Sequence, residues 1–279
     1  MAHPISRYGW LPDLPDQRDL TYAAPRPVLT KLPAKVDLTK LCPPVYDQGQ
    51  LGSCTANAIG GAFEFELLKQ NKADDFMPAR LFIYYNERVI ENTVNSDSGA
   101  MIRDGIKSVN KQGVCPEAML PYDINKFADK PSDACYAEAL KHLVVSYHRV
   151  TRNVNQMKSC LAEGYPFVFG ITVYESFEGP AVAKSGTLNM PKKAEAKVGG
   201  HAVMAVGYDS GSKRFIVRNS WGSAWGKSGY FTIPFDYLLN ENLSDDFWTI
   251  RLIEMPAAAK KVVKKVVKKA AKKTAKRRK

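Results

Sequence analysis

Hydrophobic positions follow one rhythm in the first half of the chain and another in the second. From Thr55 to about Gln70, Ala58, Ala62 and Phe65 recur at helical spacing with Ile59 and Phe63 beside them, which predicts a helix. Gly60 and Gly61 inside that run predict close packing against a neighbour. Further helical patterns cover about 79–91, 101–111, 133–142 and 154–163. The segments 143–150, 167–173, 201–208, 215–218, 229–233 and 247–253 read differently. They are short, rich in β-branched and aromatic residues, and separated by Gly, Asp or Ser, as strands are. Helices first and strands later predict an α+β protein with a helical lobe and a sheet or barrel lobe. A cleft between two lobes is where sites tend to lie.

The ends of the chain belong to neither rhythm. Residues 1–31 are rich in Pro, Asp and Arg, and repeated Pro blocks both helix and sheet interior, so they read as an extended arm. Tyr8, Trp10 and Leu14 give that arm apolar anchors, either as a fixed element or as a short regulator across the cleft. Residues 256–279 hold twelve Lys or Arg and no acid. Removing those twelve from the forty basic residues leaves twenty-eight, against twenty-eight acids. The net charge of +12 therefore sits wholly in the tail, over an electrically balanced body. Lysines repeat at i and i+4 and repel, so the tail reads as a disordered polycation. Such a segment suits sequence-independent binding of nucleic acid through residues 260–279, with a solubilising extension as the plainer reading.

The amino terminus has no apolar run of signal-sequence length, and no stretch approaches the roughly 18–20 apolar residues of a membrane span. Five cysteines, an odd and sparse set, suit a reducing compartment. The expectation is an intracellular monomer without a signal peptide. It would be cytoplasmic, or nuclear or virus-associated if the basic tail acts as an address.

Three stretches far apart carry chemistry: Asp47-Gln48-Gly49-Gln50-Leu51-Gly52-Ser53-Cys54, Gly199-Gly200-His201-Ala202-Val203, and Arg218-Asn219-Ser220-Trp221-Gly222. A thiol attacks only as thiolate, and Cys54 at a helix amino terminus would have the helix dipole in its favour. His201 is the partner that would hold the thiolate in an ion pair and protonate a leaving amine. Asn219 would fix the imidazole tautomer, with Trp221 shielding that hydrogen bond. Gln48 and the Cys54 amide would meet a developing oxyanion.

These residues resemble the papain-like cysteine peptidases, the papain and cathepsin type, over about residues 32–253. Gln48 matches the oxyanion glutamine, Gly52-Ser53-Cys54 the nucleophile motif and His201 the catalytic histidine. Asn219-Ser220-Trp221-Gly222, followed by Trp225-Gly226 and Gly229-Tyr230, matches the carboxy-terminal signature. The resemblance implies a two-lobe fold over 32–255, with a helical lobe at about 41–140 and an antiparallel, barrel-like lobe at about 141–255. It implies an endopeptidase that hydrolyses peptide bonds of protein or peptide substrates through a thioester, with no cofactor and no metal. It also makes Gly99 a backbone contact for substrate and Met101 a lining residue of its pocket. Three positions depart from the pattern. Thr55 stands where the family has Trp, Gly200 where some members have Asp, and Leu51 where secreted members have a cysteine. Ser96-Asp97-Ser98-Gly99 lacks the partner of that cysteine, as in a non-secreted branch without the disulfide beside the nucleophile.

The rival readings are weaker. Cys42, Cys115, Cys135 and Cys160 read as small buried hydrophobes, and His3, His142 and His148 as packing or solvent-facing residues. Cys54 and His201 have no third or fourth metal ligand at suitable spacing. Trp225 reads as a core aromatic. A silent binding module would be expected to have lost a member of the constellation. Amide transfer and cell-wall peptide cleavage share the Cys–His pair but fit Gln48 and Asn219-Ser220-Trp221-Gly222 less well.

Overall fold

The computed structural model describes residues 8–71 and 75–254, so the basic segment 256–279 and its expected disorder lie outside the described residues. Its helices are α1 (Arg26–Thr30), α2 (Cys54–Asn71), α3 (Arg80–Ile90), α4 (Ile102–Lys111), α5 (Asp133–Ala139), α6 (Val154–Ala162), α7 (Glu175–Glu178), α8 (Pro180–Ser185) and α9 (Phe235–Leu239). Its strands are β1 (Trp10–Leu11), β2 (Lys35–Asp37), β3 (Ala100–Met101), β4 (Val144–Arg149), β5 (Phe167–Tyr174), β6 (Lys197–Asp209), β7 (Arg214–Arg218), β8 (Tyr230–Pro234) and β9 (Ser244–Ile253). The architecture is α+β.

Helix α2 is the axis of the molecule. Ala56, Ile59, Ala62, Phe63, Phe65 and Leu67 are all buried, and so are the polar Thr55, Asn57, Glu64 and Glu66. A helix covered all round must lie between layers. One side meets α3 and α4 and the other meets β6. The two glycines serve that contact, since a Cβ on Gly61 would come within 3.3 Å of the Arg218 guanidinium and one on Gly60 within 3.4 Å of Pro78.

Seven strands form one antiparallel sheet in the order β4-β9-β5-β6-β7-β8, with β2 paired to β6. All of β5 except Tyr174 is buried, as a strand covered on both faces requires. Phe167, Phe169, Phe215 and Phe247 pack around it with ring centroids 5.7–6.2 Å apart. The end strands β4 and β8 do not pair with each other among the described residues, so the sheet is open where a barrel-like lobe was expected. Other segments take the two edges. Tyr22 donates to and Leu20 accepts from the backbone of Arg149 on β4, while Leu188 donates to Thr232 on β8. An edge already paired has no bonds left with which to close a barrel.

The amino-terminal arm is not extended throughout. Residues 26–30 form α1, with Pro25 as its N-cap and Pro27 in its first turn, where a missing N–H is no loss. Upstream of α1 the arm is anchored at both layers. Trp10 and Tyr22 are core residues. Asp13 and Asp19 engage Arg103 of α4 and Arg149 of β4.

Buried charge fastens the helical layer. Arg80 at the start of α3 bonds both oxygens of Glu117, the Asp47 carbonyl and the Asn57 side chain, and lies 3.8 Å over the Tyr122 ring. Removing one member of a buried pair strands the other. Arg80→Met should lower stability by about 3–5 kcal/mol. Lys141→Met, which breaks the solvent-exposed pair with Glu138, should change it by less than about 1 kcal/mol. Urea unfolding of the two variants measures the difference.

Candidate active site

Cys54 is the first residue of α2, and His201 lies on β6, the strand against which α2 packs. The packing of helix on sheet therefore brings together residues that lie far apart in sequence. The Ala202 N–H reaches the Cys54 sulfur at 3.3 Å. The Thr55 N–H lies on the helix side, where it favours a negative charge on the same sulfur, as expected at a helix amino end. Asn219 follows the end of β7, and its Oδ1 lies 2.8 Å from His201 Nε2. That contact leaves His201 Nδ1 buried and without a hydrogen-bond partner. Trp221 covers the pair, its ring centroid 5.1 Å from that of the imidazole. Behind Trp221 stand Phe177 and Trp225, at 5.1 and 5.2 Å, so Trp225 is a core aromatic.

Gln48 is fully buried beside these groups. Its Oε1 accepts from Ser220 Oγ at 2.7 Å and its Nε2 donates to the Leu51 carbonyl at 2.9 Å. An amide nitrogen carries two N–H groups, so one remains for a further acceptor. The backbone ties the same segments together, with the Gln48 N–H on the Ser220 carbonyl and the Gly222 N–H on the Tyr46 carbonyl. Ser220 is a partner that the sequence reading passed over, although it stands inside a quoted motif.

The loops facing the nucleophile are joined without a disulfide. Asp97 accepts the Gly52 N–H at 3.0 Å and the Tyr84 hydroxyl at 2.6 Å. A carboxylate thus links the two segments that the sequence resemblance pairs through cysteines in secreted members. All five cysteines are free thiols.

The cleft is filled by the chain's own arm. Strand β1 pairs in parallel with β3, with Trp10 opposite Ala100 and Leu11 opposite Met101. The Ala100 N–H donates to the Gly9 carbonyl at 2.7 Å, and the Gly9 N–H favours a negative charge on the Cys54 sulfur. Gly99, with φ +77°, lies so close that a Cβ there would come within 2.3 Å of the Gly9 carbonyl oxygen. A Cβ on Gly9 itself would fall 1.6 Å from the Gly52 carbonyl oxygen. The Trp10 indole occupies the space left by Gly170 and Gly200 and donates to Asp246 at 3.1 Å. Tyr8 sets its ring edge toward His201 at 6.0 Å and donates its hydroxyl to Glu178. Gly99 and Met101 thus lie along the arm, while the pocket holding an arm side chain is built by Gly170, Gly200 and Asp246. Gly200 stood in the histidine motif without that role, and Gly170 and Asp246 stand in no motif.

The arm excludes water from the reacting groups. Cys54 and His201 have no solvent exposure. Burial pushes the Cys54 thiol up to about 12, against smaller opposing effects of the N–H groups of Ala202, Gly9 and Thr55. Burial also pushes His201 down to about 4, partly opposed by its bond to Asn219. With the cleft filled, burial opposes charge on both the thiol and the imidazole, and so works against the ion pair that the sequence suggested. Among the described residues no group of three or more His, Cys, Asp or Glu could hold a metal, and no helix is long and apolar enough to cross a membrane.

Comparison with known proteins agrees with this geometry. The model of the papain family cysteine proteases matches residues 32–241. An uncharacterized peptidase C1-like protein of Acanthamoeba polyphaga mimivirus is 44% identical over 277 residues, covering 90% of this chain and 89% of its own. Cysteine proteinase 3 of Entamoeba histolytica is 27% identical over 73% of this chain and 63% of its own. The crystal structure of xylellain, a cysteine protease from Xylella fastidiosa, superposes with a TM-score of 0.84 at 46% identity, over 89% of this chain and 97% of that one. The open antiparallel sheet, the helix that begins on a thiol and the match over most of the chain lead to one assignment: this protein is a cysteine protease of the papain family.

Proposed function

We propose that the protein is an endopeptidase held latent by its own amino-terminal arm. The observation that carries this reading is the approach of Cys54 and His201 across the α2–β6 contact, with Asn219 on the imidazole at 2.8 Å and the Gly9 amide on the sulfur. The arm puts an N–H, not a carbonyl carbon, against the thiol at that contact, so it blocks the nucleophile without offering it a bond to cut.

Once the arm leaves, water re-enters and the obstacle to charge separation falls. The thiol proton passes to His201, and the thiolate attacks the carbonyl carbon of the substrate. The oxyanion of the tetrahedral intermediate takes N–H groups from the Cys54 backbone and Gln48. His201 gives its proton to the departing amine, leaving a thioester. Water then attacks the thioester while His201 takes a proton, and collapse returns the thiol and a carboxylic acid. Asn219 holds the ring tautomer throughout, under the cover of Trp221. Gly99 and Met101 would line the path of an extended substrate, replacing their contacts with the arm.

The tail lies outside the described residues, and its role follows from composition alone. We assign it to non-specific nucleic-acid binding, because twelve cations without an acid release counterions from phosphates. The peptidase body is taken to act as a monomer inside a cell or a virus particle, with the tail as an address or a tether.

Cys54→Ala should abolish cleavage of a generic peptide and leave the unfolding curve close to that of the parent. Gly9→Ala should do the reverse and raise turnover several-fold, since the added methyl cannot pass the Gly52 carbonyl. Residual turnover in the first variant, or none gained in the second, would count against the respective role. The lowered pKa of His201 has a definite sign. Between its ordinary value near 6.5 and about 4, the unfolded chain takes up a proton that the closed form refuses, so stability falls with falling pH. From pH 6.5 to 5 the parent should lose about 2 kcal/mol more than His201→Phe, as measured by urea unfolding at each pH. Truncation after Met255 should eliminate DNA retardation at low salt without changing peptide turnover. Equal retardation with and without the tail would remove the tail assignment.

A further inference from the structure

Beneath the nucleophile lies a carboxyl group that the reaction as written does not use. Glu87 of α3 and Thr55 of α2 are fully buried, and Thr55 Oγ1 lies 2.8 Å from Glu87 Oε2. The other carboxyl oxygen, Oε1, has no hydrogen-bond partner among the described residues. It points toward Gly105 of α4, where even a methyl group would approach within 2.2 Å. Glu87 therefore occupies a closed, dry space between three helices.

The charged and titratable groups around it are unfavourable to a carboxylate. Glu91 on its own helix, Asp104 on α4 and the Cys54 thiol on α2 all oppose a negative charge at Glu87. The adjacent cation, Arg88, sends its guanidinium to the carbonyls of Tyr84, Val94, Ser96 and Phe127, and makes no ion pair with Glu87. A buried carboxylate without a cation takes up a proton instead. Burial accordingly drives Glu87 well above the ordinary carboxyl range.

The link to the reaction runs through Thr55. Its side chain is held by Glu87, and it follows Cys54 directly in the first turn of α2, where its N–H favours a negative charge on the sulfur. We propose that Glu87 is an uncharged positioning residue for the nucleophile. As a carboxylic acid it fixes Thr55, and hence the first turn of α2 that carries the thiol, without placing a second negative charge beside the thiolate. The same pair accounts for the departure at Thr55, because a residue with a hydroxyl is what a buried acid on α3 needs opposite it. The proposal rests on the peptidase reading above for its consequence, but its geometry concerns the thiol alone.

The test uses the full-length chain as the parent and as Glu87→Gln, Glu87→Ala and Thr55→Val. Two quantities are read: the pH midpoint of Cys54 alkylation by iodoacetamide, located by mass spectrometry, and kcat and KM on a generic peptide. Ratios to the parent divide out opening of the arm, which all the chains share. Glu87→Ala and Thr55→Val should raise the alkylation midpoint and lower kcat roughly tenfold with KM unchanged, the loss of about one hydrogen bond. Glu87→Gln, neutral at every pH and still able to bond Thr55, should restore the midpoint and bring kcat within about threefold of the parent. A Glu87→Gln midpoint below that of the parent would mean that Glu87 is charged in the working protein and would overturn the proposal. So would Glu87→Ala and Thr55→Val chains that only melt earlier, with midpoint and kcat unmoved. If Glu87→Ala does not fold, Thr55→Val, which nearly keeps the side-chain shape, decides the same point. Should the parent itself lack turnover, the peptidase reading fails, and the alkylation midpoints still decide the role of Glu87.

Discussion

The sulfur of Cys54 accepts the Ala202 N–H of β6, and backbone N–H groups of Thr55 in its own helix and Gly9 in the arm add to the field around it. The rest of the structure is arranged around that meeting. Helix α2 must be buried on every side for its first residue to reach β6, and that explains the alanines, the two glycines and the enclosed polar residues along it. Strand β6 must be central for His201 to be rigid, and it is paired by β5, β7 and β2. The arm must be threaded through glycine-lined space for its amide to arrive at all. Each of these requirements is one of packing, and the chemistry follows from meeting them together.

Periodicity made the large elements legible. The helix expected from Thr55 to about Gln70 is Cys54–Asn71, and the six expected strands correspond to β4 through β9 with shifts of a few residues at their ends. What escaped were the two-residue and three-residue strands β1, β2 and β3, because a period cannot be read from so few positions. They exist only through distant partners, Trp10 with Ala100 and Val36 with Tyr208. The choice between an open sheet and a barrel stays undecided in the sequence for a similar reason. Closure depends on whether edge bonds are free, and the segments that take them, around Leu20–Tyr22 and Leu188, look like plain loop in sequence.

At the site, glycine-flanked polar residues were readable because each sits in a short motif. Ser220, though inside a motif, gave no sign of its own role, and Glu87 and Asp246 were not readable, since each is a common residue with an uninformative local setting. Their significance comes from partners 172, 32 and 236 positions away: Gln48, Thr55 and Trp10. The protonation state was also beyond the sequence. An ion pair is what the residue types suggest, but burial raises the thiol and lowers the imidazole, and both shifts oppose charge separation.

Under the proposed function the arm and a substrate would compete for the same backbone groups, and the terms of that competition are physical. A tethered segment acts at an effective concentration in the millimolar range, whereas enzymes commonly meet substrate with KM between about 1 μM and 1 mM. Closure at that advantage requires little intrinsic affinity, yet the arm is strongly fixed. Trp10 is in the core, Asp13 accepts from Trp248 and Arg103, and Asp246 accepts from Trp10 and from the Asp13 backbone. Asp13 and Asp246 are both held above the ordinary carboxyl range, first by burial, with Arg149 partly offsetting it. A clamp made of two desolvated acids around shared arginines is strong only while its protons and cations are in place. Under the proposed latency, opening would be governed at the clamp, and the reacting groups themselves would need no adjustment beyond the return of water.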